Sequence, residues 1–409
     1  MTLSGRAYVG VIVAAQVLVQ IGAFALPALL PHYIDAWSLT NTEAGWLLGI
    51  FFAAYVAAVP VLMSLTDRLP ARSVYLVGSG ATALSHLGFA LLADGFWSAL
   101  VLRTLAGVGW AGCYMPGLKA IADPLAGTAQ SRAVTLHAAA VGIAGACSFL
   151  VAGFFDAVAG PRVAFLAVAL CAALAFLLAL RVMPGTPPPQ ADGPRRRLLD
   201  FRPVLANRRA MAWIAGYSVH TLEMAALRAW AVTFLALAAA RHGVPAWMPD
   251  PTVLFTAAGL LGILVSITGN ESAQKFGRRR VVTIAMGGAA ILSLATGWMM
   301  EASFVLALAL VLAWNAAIYL DSSALTAGTV QAAGPGLRGA TMGLHSMLGY
   351  AGGFLGPLGV GLALDAFGDG ALGWGIGFGH IAVLTLAGLA AVRVLGREPQ
   401  PAPIGTPGA

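Results

Sequence analysis

Five ionisable side chains stand where water is scarce: Arg103, Lys119, Glu223, Arg228 and Asp321 each fall inside a long apolar stretch of this 409-residue chain. A charge near the middle of a membrane helix costs roughly 2.5–3.5 kcal/mol on insertion scales, so such residues face a cavity or a partner. The chemistry open to them is proton exchange and electrostatic binding, because a carboxylate beside an arginine changes its proton affinity as its surroundings change. Glu223 is the expected proton carrier, with Arg228 about 7–8 Å further along the same helix at a rise of about 1.5 Å per residue. The competing account is structural: an ion pair of Glu223 with Arg103, or of Asp321 with Arg228. Lys119, close to the end of its stretch, is expected to snorkel to the interface.

Other polar groups gather around these five. His220 precedes Glu223 by three residues and shares its helical face, and His345 sits in a glycine-rich stretch from Gly343 to Gly349. Either histidine can relay a proton, contact substrate or simply hydrogen-bond within the packing. Trp110, Trp230, Asn315, Tyr319 and Tyr350 complete the candidate cavity. His220 and Met224, four apart, bring an imidazole beside a thioether, a soft donor pair that suits copper(I). Cys113, Cys147 and Cys171 all lie in apolar stretches and form no CxxC pair, so neither a disulfide framework nor a zinc site is expected. With no phosphate loop after a strand, no nucleophile–base pair and no metal-ligand cluster in the pattern, neither an enzyme nor a cofactor is expected.

Those side chains need helices in lipid to hold them. The chain is 59% hydrophobic and 10% charged, far from the roughly 25% charged residues of a soluble domain. A spanning helix takes about 20 mostly apolar residues, because lipid offers no partner to backbone N–H and C=O groups. Twelve stretches qualify: 7–30, 44–66, 73–93, 96–121, 135–158, 163–180, 211–240, 253–273, 281–299, 302–330, 341–366 and 372–395. The first is too long for a signal h-region and is followed by Pro31 and His32 rather than a cleavage site, so it is expected to stay as the first span. Of the loop cations, only Arg162 and Arg241 fall on one side; the rest, including Arg68, Arg72, Arg132, Arg195–Arg197, Arg208, Arg209, Lys275, Arg278–Arg280 and Arg338, fall on the other. The positive-inside rule then makes both termini cytoplasmic, in an inner membrane. That asymmetry accounts for the net charge of +7 without invoking nucleic acid.

A basic hairpin is written twice, as Asp67-Arg68-Leu69-Pro70-Ala71-Arg72 after the second stretch and Gln274-Lys275-Phe276-Gly277-Arg278-Arg279 after the eighth. Two copies at equivalent places read as two related halves. Twelve spans, a long central polar interval and this hairpin pair resemble the major facilitator superfamily over essentially the whole chain. That family's hairpin reads Gly-x-x-x-Asp-Arg-x-Gly-Arg-Arg; here Met63 and Pro70 replace its glycines in the first copy and Gln274 replaces its acid in the second. Span four carries a second resemblance, Arg103 with Gly107, Gly109 and Pro116, whose arginine is implicated in proton coupling in family members. The Gly-Pro pair that marks drug antiporters in span five is absent from Gly142–Cys147, while Gly356-Pro357 stands in span eleven.

The resemblance implies an all-α membrane protein of twelve transmembrane helices in two pseudo-symmetric six-helix bundles, with spans one, four, seven and ten lining a central cavity. The expected division is an N-terminal bundle at 1–183, a cytoplasmic linker at 184–209, a C-terminal bundle at 210–396 and a disordered Pro/Gly-rich tail at 397–409. Asp67, Arg68, Arg72, Lys275, Arg278 and Arg279 become gate residues pinning helix ends across the bundles. The leading expectation is a monomeric secondary transporter that takes up a small organic or inorganic anion with protons by alternating access. Proton-coupled efflux of drugs or amphipathic metabolites is the alternative, ahead of copper transport or a non-transporting membrane sensor.

Overall fold

The computed structural model describes residues 5–66, 68–186, 200–334 and 336–396. The expected gate acid Asp67, most of the central polar interval and the tail at 397–409 lie outside the described residues. Fourteen α-helices and no strands are found among the described residues. The first crossing is split into α1 (Gly5–Gln20) and α2 (Ala25–Trp37). Five more follow: α3 (Asn41–Leu65), α4 (Ala71–Leu92), α5 (Phe96–Ala122), α6 (Gly127–Ala159) and α7 (Pro161–Val182). After the short α8 (Arg202–Leu205) come α9 (Arg208–His242), α10 (Pro251–Phe276), α11 (Arg278–Trp298), α12 (Phe304–Ala332), α13 (Arg338–Phe367) and α14 (Ala371–Leu395). The twelve expected crossings are therefore present. Hydropathy and length alone pick out eleven of them; α5, diluted by Arg103 and its glycines, is not in that set.

The first crossing differs from the continuous helix expected over 7–30, and the cause is local. Pro27 has no N–H to give to the carbonyl four residues back, and its ring clashes with that carbonyl. The carbonyl is Ala23 O, and the helix opens there. Ala23 N turns back to Gln20 O at 3.0 Å. Two side chains then serve the freed backbone: Ser148 Oγ accepts from Phe24 N at 2.9 Å, and Arg103 Nη2 donates to Ala23 O at 3.4 Å. The helix resumes as α2 and runs on to Trp37, past the expected end.

Helix ends elsewhere follow the usual capping chemistry. Thr40 and Glu43 form a reciprocal capping box at the start of α3, and Asn207, Asp250 and Ser303 cap α9, α10 and α12 with their side chains. The cap at Asn207 starts α9 inside the interval expected to be linker.

Strand-free packing leaves helix-on-helix contact as the way to bury surface. The first six crossings meet the last six mainly along two seams, α3 against α13 and α6 against α10, with a smaller contact of α2 on α9. The first seam is backbone to backbone. A Cβ on Gly45, Gly49 or Gly361 would sit 2.9, 2.7 or 2.2 Å from the carbonyl oxygens of Pro357, Phe354 and Asn41. Small residues permit such approach in lipid, where helices associate by close packing. The ends of α3, α4, α10, α11 and α13 that carry Arg68, Arg72, Lys275, Arg278–Arg280 and Arg338 form a basic face; the glycine contacts of the first seam lie from mid-depth to the opposite face.

Candidate substrate and coupling site

The largest group of expected site residues is built on α9. Its 35 residues contain no proline and a single glycine, so a regular register carries Tyr217, His220 and Glu223 up one side. Glu223 is 2% exposed. Its Oε1 accepts from Trp314 Nε1 of α12 at 2.6 Å, and its Oε2 accepts from Thr385 Oγ1 of α14 at 3.3 Å. One turn back, His220 Nδ1 lies 2.8 Å from Asp321 Oδ1 of α12, both groups buried. The Tyr217 ring stacks on His220 and on His345 of α13, with centroids 5.7 and 3.7 Å apart. His345 Nδ1 in turn stands 3.1 Å from Thr329 Oγ1. Four expected residues, His220, Glu223, Asp321 and His345, are thus brought together among α9, α12, α13 and α14. No lysine or arginine pairs with either carboxylate among the described residues.

Neither expected ion pair forms. Arg103, 2% exposed, spends its guanidinium on the carbonyls of Leu47 and Ala23, both at 3.4 Å, and lies 4.8 Å above the Phe51 ring. It is held by the break in the first crossing and does not reach Glu223. Arg228 follows Glu223 by five residues, which turns it about 140° around α9, and lies about 12 Å further along the axis than the level of His220 and Asp321. It donates to Tyr319 Oη and lies 5.1 Å from the ring of Phe24, in the break just before α2, at the junction with the first six crossings. Its positive charge meets no described carboxylate.

Beside this junction, aromatic rings from α3, α5 and α13 form a cluster at mid-depth. Trp110 lies 4.8 Å from Phe51, 5.2 Å from Tyr55 and 5.5 Å from Tyr350, and Tyr350 lies 4.5 Å from Tyr55. Trp110 Nε1 and Tyr55 Oη are buried without a hydrogen-bond partner among the described residues. From the basic face, a groove of about 390 Å³ runs along α12 past Ser322, Ser323, Thr326 and Gln331, the turns that follow Asp321.

Other expected site residues go elsewhere. Asn315 donates to Ala258 O at 3.2 Å and ties α12 to α10, and Trp230, fully buried, donates to Pro357 O at 2.9 Å and ties α9 to α13. Lys119 sits 3.5 Å from Asp123 near the basic face, as a snorkelling residue should. His220 is engaged by Asp321 and Tyr217, and no group of three metal-type side chains is found among the described residues. Of the gate residues, Arg72 donates to Leu180 O at 2.6 Å, Arg278 to Gln331, and Lys275 lies 5.2 Å from the Phe276 ring. Arg68 and Arg279 are exposed. Each described contact stays within its own set of six crossings.

Sequence reasoning passed over Tyr55, Tyr217, Trp314, Thr385 and Asp365. Trp314 adjoins the singled-out Asn315, and Tyr217 lies one turn before His220, so both were within reach of a facial reading; Thr385 carried no signal. Asp365 marks a clamp at the face opposite the basic one. Its Oδ1 accepts from Asn41 N at 2.9 Å and Asn41 Nδ2 at 3.0 Å, and its Oδ2 from Thr42 N at 2.8 Å.

Known proteins share this architecture. A bacterial homologue of the human lysosomal transporter Spinster, solved in an inward-facing occupied state, superposes with a TM-score of 0.72 at 17% identity, covering 97% of this chain and 96% of its own. The nucleoside transporter NupG gives 0.75 at 14% identity over 97% and 100%. In sequence, protein spinster homolog 1 of Bos taurus is 22% identical over 276 residues, 64% of this chain and 52% of that protein. An uncharacterised MFS-type transporter of Mycobacterium tuberculosis is 32% identical over 171 residues, 40% of each chain. The chain thus spans about half the length of the curated relatives it matches. The profile of the Major Facilitator Superfamily matches residues 12–357, and the chain belongs to that superfamily as a multi-pass membrane protein.

Proposed function

We propose that this protein is a proton-coupled secondary transporter of a small organic anion, working by alternating access, with Glu223 as its proton carrier. The observation that carries the reading is the separation of charge in the site. Two carboxylates and a histidine are buried together without a lysine or arginine among the described residues, while Arg228 stands at the junction without a described carboxylate. A buried carboxylate lacking a cationic partner exchanges its proton when helix movement changes its hydration and hydrogen bonds. An uncompensated guanidinium recognises an anion. His220, Asp321 and His345 surround the carrier; Arg228, Tyr319, Trp110 and Tyr350 contact the substrate, and Arg103 holds the first crossing in its broken form.

Two six-helix bundles, 1–183 and 210–396, rock about this site. The seams at α3–α13 and α6–α10 close the face opposite the basic one, and the hydroxyl-lined groove of α12, which begins one residue past Asp321, is on this reading the start of the path from the basic face. Basic loops face the cytoplasm, so the protein lies in the inner membrane with both termini inside and is held open to the cytoplasm. In the opposite state Asp67 and the carbonyls that end the facing helices accept from Arg68, Arg72, Lys275, Arg278 and Arg279 across the two bundles and draw the basic ends together. The aromatic cluster, with its two unpartnered donors, favours a second reading: efflux of amphipathic compounds that stack on Trp110 and Tyr350.

The test is reconstitution into liposomes under an imposed pH gradient, with carboxylates, phosphate and lipophilic cations supplied in turn. An anion should accumulate on the alkaline side. Glu223→Gln should abolish that accumulation while leaving counterflow exchange intact. Unchanged accumulation in Glu223→Gln removes Glu223 from coupling, and accumulation of lipophilic cations alone replaces the anion reading with efflux.

A further inference from the structure

The basic face of the last six crossings holds a second cavity, of about 450 Å³, between the start of α9 and the α10–α11 turn. It is lined by Arg209, Trp213, Gly277, Arg278, Arg279 and Arg280, with no carboxylate on its wall among the described residues. The turn closes at Gly277, whose φ of +92° is a conformation other side chains rarely adopt, so the residue before α11 has no side chain to cap it. The opening N–H groups of a helix lack intrahelical partners and carry the positive end of its dipole. Here three consecutive arginines are added to that positive end, the arrangement the helix field opposes. Arg278, Arg279 and Arg280 form no ion pair with a described carboxylate, and Arg278 Nε is buried without a hydrogen-bond partner among the described residues. An anion placed in the cavity would relieve both the mutual repulsion and the unpaired donors.

The neighbouring surface says what kind of anion. Arg280, Ile284, Gly287, Gly288 and Ile291 follow one another at helical spacing down the outside of α11. Ile284 and Ile291 are 61% and 70% exposed, and a Cβ at Gly287 or Gly288 would meet nothing within 4 Å. A shallow apolar furrow therefore runs into the bilayer directly below the arginines, with Phe276 exposed at its rim.

We propose that this corner is a binding site for an anionic phospholipid, its headgroup phosphate held by Arg279, Arg280 and the amides opening α11, and an acyl chain lying along Gly287 and Gly288. Basic pockets at the cytoplasmic ends of membrane helices take lipid headgroups in this way.

The test uses the full chain in nanodiscs of phosphatidylcholine, with and without phosphatidylglycerol, reading the thermal midpoint and the lipids retained in native mass spectrometry. Phosphatidylglycerol should raise the midpoint and remain bound. Arg279→Gln/Arg280→Gln should lose at least half of the rise and the retained lipid. Because removing arginines can disturb insertion, Gly288→Leu is the second variant: it leaves every charge in place, fills the furrow and should also release the lipid. An equal phosphatidylglycerol effect in wild type and both variants overturns the site. A rise reproduced by inorganic phosphate alone, with no lipid retained, overturns the lipid as its occupant.

Discussion

Replacing Asp365 by asparagine should open the face opposite the basic one. In the closed arrangement the Asp365 carboxylate, on α13, caps the N-terminus of α3 through three N–H donors at 2.8–3.0 Å. A bond to a charged group contributes about 1.5–3 kcal/mol, and an anion at a helix N-terminus adds about 0.3–1 kcal/mol. The asparagine keeps one carbonyl acceptor and loses the charge and the second oxygen. Because Asp365 is exposed, the figure is discounted for solvent screening, leaving about 1–2 kcal/mol lost from the closed state. At about 1.4 kcal/mol per factor of ten, the closed-to-open ratio should fall by about 5- to 30-fold. Spin labels on Trp97 and Trp247, both exposed at that face on opposite sets of crossings, would report the change as a longer-distance population in pulsed dipolar spectroscopy, with the three native cysteines replaced. A lowered thermal midpoint with an unchanged distance distribution would refute the argument, since the clamp would then contribute equally to both states.

Two further outcomes rest on packing. Gly107→Ala and Gly269→Ala would place Cβ atoms 2.1 and 2.0 Å from the backbone oxygens of Phe51 and Leu320, so each should lose about 1–3 kcal/mol or more. Gly287→Ala, with open space around it, should gain about 0.5–1 kcal/mol; thermal unfolding in detergent reads both signs, and a stable Gly269→Ala would contradict the close approach of α10 to α12. Arg103→Ala leaves Ala23 O unpaired at the break, so hydrogen exchange over residues 21–25 should accelerate and stability fall by about 1–3 kcal/mol. Unaltered exchange there would mean that Pro27 and Ser148 hold the break without Arg103.

How far the site could be read from the sequence varied by residue. Glu223 and Asp321 stood out because a carboxylate in an apolar run is costly wherever it points, and both proved central to one cluster. Their partners were not legible: Trp314 lies 91 residues from Glu223 in the chain, and Thr385 lies 162 away. Arg103 was singled out for the same reason as Glu223, yet its neighbours turned out to be carbonyls, one of them freed by Pro27. The paired basic hairpins drew attention to gating at the basic face, whereas the closed seam is clamped at the opposite face by Asp365, which looked like an ordinary helix-end acid.

The sequence by itself determined the membrane class, the twelve crossings, the sidedness of the basic loops and the short set of buried charges. These follow from properties each segment carries alone, since the bilayer judges length, hydropathy and charge one helix at a time. Only the tertiary structure decided which charges meet. A helix turns its side chains by about 100° per residue, so the five-residue step from Glu223 to Arg228 sends one toward Trp314 and Thr385 and the other toward Tyr319 and Phe24. The break between α1 and α2 belongs to both levels: Pro27 opens it, and Arg103 and Ser148, distant in the chain, supply the hydrogen bonds that let it persist inside a membrane.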